Sequence, residues 1–156
     1  MTALAGQMDD LWIGTLDRGL MRLRAGQLET IPQVNDRVLS LAVEGGRVYA
    51  GLPTGVAEIR DGVFHRLVAE GAFATAVHAG KDGLTVGTLE QGIAGDDLVR
   101  QGAIRAFHQS GDALWAIGED AVYLKERLAA AWKRTSGPTG ATLTHHNIAA
   151  LAVDPS

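Results

Sequence analysis

Cysteine is absent from this chain of 156 residues, which excludes a disulfide framework, a thiolate zinc site and a cysteine nucleophile. Positive charge is also short. A net charge of −4 and a pI near 5.7 leave no basic footprint with which to displace counterions from a phosphate backbone, so nucleic acid is not an expected partner. No apolar run approaches the roughly 18 residues of a membrane span, and Met1 to Asp10 lacks the basic-then-apolar order of a secretion signal. Membrane insertion is therefore not expected. The compartment is the cytoplasm if the chain is a whole gene product, with the periplasm open to a fragment of a sensor. Aromatic residues make up only 5% against 20 glycines, a balance that favours many short elements joined by tight turns over long helices.

Self-similarity is the main signal in what is present. Leu4-Ala5 precedes Leu11-Trp12-Ile13-Gly14-Thr15, and Leu41-Ala42 precedes Val48-Tyr49-Ala50-Gly51-Leu52. The frame recurs as Val77-His78 before Leu84-Thr85-Val86-Gly87-Thr88, and as Phe107-His108 before Leu114-Trp115-Ala116-Ile117-Gly118, with seven residues from one apolar anchor to the next. Turn formers lie between the anchors: Asp9-Asp10, Gly45-Gly46, Lys81-Asp82-Gly83 and Ser110-Gly111-Asp112. Each repeat thus opens with a β-hairpin. A third, alternating run follows at Leu20 to Leu23, Val56 to Ile59, Gly92-Ile93 and Val122 to Leu124, and a fourth at Gln27 to Ile31 and Val63 to Leu67.

Four antiparallel strands per unit make a propeller blade. The expected fold is all-β, a β-propeller of about four blades with one extra C-terminal strand in a single domain over 1–156. The repeats run over about 1–36, 37–72, 73–102 and 103–147, with the start of a fifth at 148–156. Inner strands are expected near Leu39–Glu44, Thr75–Ala79, Arg105–Gln109 and Ala149–Val153, and their small residues suit the crowding near a ring axis. Anchors Leu11, Val48, Leu84 and Leu114 stand 37, 36 and 30 residues apart, so the third unit is a strand short and Asp96 to Gly102 replaces its outer strand with a turn. Lys125 to Trp132 has high helix propensity but stands where the other units enter a fourth strand, and a hairpin is expected there. A stack of hairpins in an open solenoid or sandwich is the competing architecture.

Leu11-Trp12-Ile13-Gly14-Thr15, Gly19-Leu20 and Arg22, with Asn35, Val38 and Leu41 or Asn147, Ile148 and Leu151 entering the next unit, resemble the two-component regulator propeller repeat. Thr85 stands where that repeat has its tryptophan in the third unit, and Ala116 displaces the glycine in the fourth. The resemblance implies a module of the sensing kind, one that receives a ligand or a partner protein.

Turns between second and third strands share a face with the connections between blades, and propeller ligands commonly meet such loops. The expected binding face comprises Asp17, Arg18, Glu90, Gln91, Glu119, Asp120, His145, His146 and Asn147. Its acidic bias favours a cationic ligand or a basic protein patch. His78 and His108 occupy equivalent inner-strand positions, and an enzyme of the lyase or hydrolase type would draw on them. Neither strand supplies a carboxylate third ligand, so no metal or other cofactor is expected. No nucleophile elbow or phosphate-binding glycine loop appears. The leading expectation is a noncatalytic ligand- or protein-binding module, with the enzyme and a fragment that only assembles into a larger ring as alternatives. The expected partners are a second copy of the chain, as a dimer, or the remainder of a larger propeller.

Overall fold

The computed structural model describes residues 1–96, 99–100, 102–119, 121–126 and 131–135, in two compact units, Met1–Val86 and Gly87–Ser156. In the first unit β1 (Ala3–Gln7), β2 (Asp10–Gly14), β3 (Leu20–Arg24) and β4 (Gln27–Thr30) form an antiparallel sheet in chain order. The second sheet repeats the plan with β5 (Ser40–Glu44), β6 (Arg47–Leu52), β7 (Gly55–Arg60) and β8 (Val63–Val68). β9 (Ala74–Gly80) pairs with β10 (Gly83–Thr88), whose last residues carry the chain into the second unit. Two-residue turns with consecutive positive φ, at Ala25-Gly26, Gly45-Gly46 and Asp61-Gly62, match the right-handed twist of the strands they join.

Period-two alternation decides what each face meets. Val48, Ala50 and Leu52 of β6, with Ala57 and Ile59 of β7, are buried against Trp12 and Leu20 of the first blade. Tyr49, on the opposite face, packs with Val56, Ala74 and Val86 toward the third. The inner strands β1, β5 and β9 are neighbours, one from each blade. The glycine of the repeated motif allows this approach: a Cβ on Gly14 would lie 2.6 Å from Val38 Cγ1, and one on Gly51 would lie 2.6 Å from the Ala74 carbonyl oxygen.

The second unit holds a blade of β11 (Ile104–Ser110), β12 (Ala113–Gly118), β13 (Val122–Glu126) and β14 (Lys133–Arg134). β13 and β14 pair with Tyr123 opposite Arg134 and Leu124 opposite Lys133, while 127–130 of the helix-prone segment, where the hairpin is expected to turn, lie outside the described residues. Trp132 is buried, its ring 6.2 Å from that of Phe107. The three inner strands expected within the described residues fall within one residue of their expected limits. The third repeat is shorter than its spacing implies. Its third run, Gly92-Ile93, is only a bridge from Ile93 to Gly87, because Gly95 at positive φ turns the chain and the Asp96 carboxylate accepts the Val99 amide at 3.0 Å. The C-terminal strand expected at 148–156 lies outside the described residues.

Candidate functional site

The loop between β2 and β3 is built by a threonine. Thr15 is buried; its hydroxyl donates to the Gly19 carbonyl at 2.9 Å and accepts the Arg18 amide at 2.9 Å. Thr88 repeats this in the second unit, donating to Gly92 and accepting from Gln91 at the same distances. Gly19 (φ 67°) and Gly92 (φ 66°) close the two turns, and a Cβ on either would strike a carbonyl oxygen, that of Val34 or Val99. The hydroxyl and the glycine thus explain why the motif ends in threonine and a glycine follows four residues later.

These turns hold the side chains between them outward. Asp17 and Arg18 are exposed, with a loose 4.0 Å ion pair at the surface. Glu90 and Gln91 are exposed neighbours on the Thr88 turn, and Glu119 is exposed on another, its amide donating to the Ala103 carbonyl at 2.9 Å. No hydrogen bond or ion pair among the described residues joins Glu119 to Glu90 or Gln91. Asp120, His145, His146 and Asn147 lie outside the described residues.

His78 is half-buried on β9, where burial pushes its imidazole pKa down and the Glu44 carboxylate on the neighbouring strand pulls it up, for a net lowering. His108 lies on β11 opposite Trp115. Among the described residues no group of three His, Cys, Asp or Glu side chains is placed to hold a metal ion.

A concave feature of the first unit lies at the other end of the blades, among the β1–β2, β3–β4, β5–β6 and β7–β8 hairpins. It is a cleft of about 450 Å³ between the first and second blades, walled on one side by Gln7, Asp10, Trp12, Arg22 and Arg24 and on the other by Val43, Val48 and the Asp61-Gly62 turn. Arg22 organises it. Its Nε and Nη2 donate to the two oxygens of Asp10, each at 2.6 Å, and its guanidinium carbon lies 4.9 Å from the centroid of the Trp12 ring. The hydrogen bond from Arg22 holds the Asp10 carboxyl below the usual carboxylate range, outweighing its partial burial. Arg22 reaches across to the second blade, where glycine at 62 makes room: a Cβ there would sit 2.6 Å from Nη1.

The binding face expected from the sequence lies at the opposite end of the blades, and Asp9-Asp10 reads in the sequence as a turn. The available signal was the hairpin register, since the turn lengths set Arg22 opposite Trp12 and Asp10 opposite Arg24, leaving Asp10 and Arg22 as diagonal neighbours on one face. At the corresponding place in β7 stands Glu58, which is 1% exposed and bound by Arg60 at 2.8 Å and Arg66 at 2.7 Å.

No protein-family model matches the sequence, and no curated protein matches it. Solved structures do. The computationally designed Ika4 protein shares 17% identity at a TM-score of 0.69 over 80% of this chain and 89% of its own. The extracellular domain of the putative hybrid two component system BT3049 from B. thetaiotaomicron shares 18% at a TM-score of 0.68 over 94% of this chain. PorZ, a surface component of the type-IX secretion system of Porphyromonas gingivalis, shares 16% at 0.67 over 85%. The chain spans 23% of the BT3049 domain and 22% of PorZ, under a quarter of either. At these identities the likeness is one of fold: an all-β propeller architecture like that of two-component regulator domains.

Proposed function

We propose that this protein is a noncatalytic binding module whose ligand site is the cleft between the first and second blades. The observation that carries this reading is the Asp10–Arg22–Trp12 arrangement. A bidentate carboxylate and an aromatic face fix the guanidinium before any ligand arrives, so little side-chain freedom is left to lose on binding. The cleft volume falls in the range of about 300–1,000 Å³ typical of small-molecule sites. Its lining is more polar than that of most such sites, with Gln7, Asp10, Arg22, Arg24 and Asp61 beside apolar Trp12, Val43 and Val48, which favours a polar or charged ligand. By fold likeness, sensing is the role such binding would serve.

A fragment panel read by thermal shift tests the site. Val43 is 37% exposed on the cleft wall, so Val43→Trp fills the space without disturbing the core. Fragments that raise the melting temperature of the wild type should lose that effect in Val43→Trp. If the same fragments stabilise both proteins equally, the cleft is not the site.

A further inference from the structure

The charges around the cleft do not cancel in place, and their arrangement describes a ligand. Asp10 neutralises Arg22 and occupies its Nε and Nη2, leaving the Nη1 edge without a hydrogen bond beside Gly62. Two further charges line the space: Arg24 at the end of β3 on the first blade, and Asp61 in the β7–β8 turn on the second. Both are exposed, and neither is held in an ion pair or side-chain hydrogen bond with another described residue. Arg24 stands opposite Asp10 and feels its charge, but both oxygens of that carboxylate are engaged by Arg22, so one wall carries a positive charge in excess, the facing wall carries the Asp61 carboxylate, and Val43 supplies apolar surface between them.

Resting on the reading of this cleft as the ligand site, we propose that it recognises a short zwitterionic peptide, of dipeptide size. The ligand carboxylate pairs with Arg24 and its ammonium with Asp61, while the amide carbonyl between them accepts from Nη1 of Arg22 and a side chain rests on Val43. A ligand charged at one end only would leave the opposite rim charge unpaired, and the site discriminates against it for that reason. Glu58 at the repeat position of Arg22 shows why the site belongs to this blade pair: at the next junction a carboxylate closed by Arg60 and Arg66 stands where the free donor edge would be.

The probe is glycyl-leucine, titrated calorimetrically beside its N-acetyl and its C-terminal amide forms. Blocking either end should weaken binding about two- to fivefold, the worth of one exposed ion pair. Asp61→Asn should abolish the discrimination against the acetyl form and keep that against the amide; Arg24→Gln should do the reverse. Asp61 has φ 50°, a conformation asparagine accepts readily, so Asp61→Asn removes the charge without straining the turn. Equal affinity for all three peptides, or variants that leave the discrimination unchanged, would overturn the proposal. If glycyl-leucine does not bind while Val43→Trp still abolishes fragment stabilisation, the ligand class is wrong and the cleft stands. If neither effect is seen, both readings fail.

Discussion

Replacing Glu58 by glutamine tests whether a buried charge holds the second blade together. Glu58 is 1% exposed on β7 and accepts one hydrogen bond from Arg60 and one from Arg66, at 2.8 and 2.7 Å. Burial alone would raise its pKa, but the hydrogen bonds from Arg66 and Arg60 outweigh that and hold the carboxyl below its ordinary value. Each charge-assisted bond to a buried acceptor is worth about 1.5–3 kcal/mol. The arginines are 38% and 59% exposed and can turn to water once released, which brings the total down to about 2 kcal/mol. Glutamine keeps the volume and can accept from one arginine, but its NH₂ then faces the donors of the other. Urea denaturation at pH 7 should show Glu58→Gln less stable by about 2 kcal/mol, or about 4–8 °C in melting temperature for a chain of this size. The pH dependence follows from the sign of the shift. With the folded pKa below the unfolded value of about 4.3, the wild-type advantage is complete above that pH and is lost as the pH falls through the folded pKa. An advantage smaller than about 0.5 kcal/mol at pH 7, or one that persists unchanged to pH 2, would refute the reasoning.

Gly19→Ala should destabilise by more than about 2 kcal/mol, because its Cβ meets the Val34 carbonyl oxygen at a positive φ, whereas Gly26→Ala, also at positive φ but with open space around it, should cost about 1 kcal/mol; paired urea titrations that give equal costs would remove the steric argument. In the second blade Leu41, Val48, Ala50 and Ile59 pack against the first, while the matching first-blade face carries Leu4, 53% exposed. On that ground we expect a dimer, with light scattering giving twice the chain mass of 16.4 kDa and a monomer mass refuting it.

The sequence by itself determined the blades. Seven-residue anchor spacing, turn formers between anchors and alternation along each run are local properties, and local rules read them correctly, down to inner strands placed within a residue of their limits. It also carried the shortened third repeat, though Gly95 and Asp96 cut that repeat further than spacing alone implies. What only the tertiary structure decided is where space and charge are left between blades. Alternation assigns Arg22 and Glu58 to polar positions of equivalent strands and expects both to face water. Packing of one sheet against the next instead buries Glu58 between two arginines and lays Arg22 along a cleft against Trp12. The cleft was beyond reach for the same reason: a pattern of period two tells one side of a strand from the other, but where space is left between two neighbouring blades depends on side chains meeting across sheets, and those pairings are written in no single repeat.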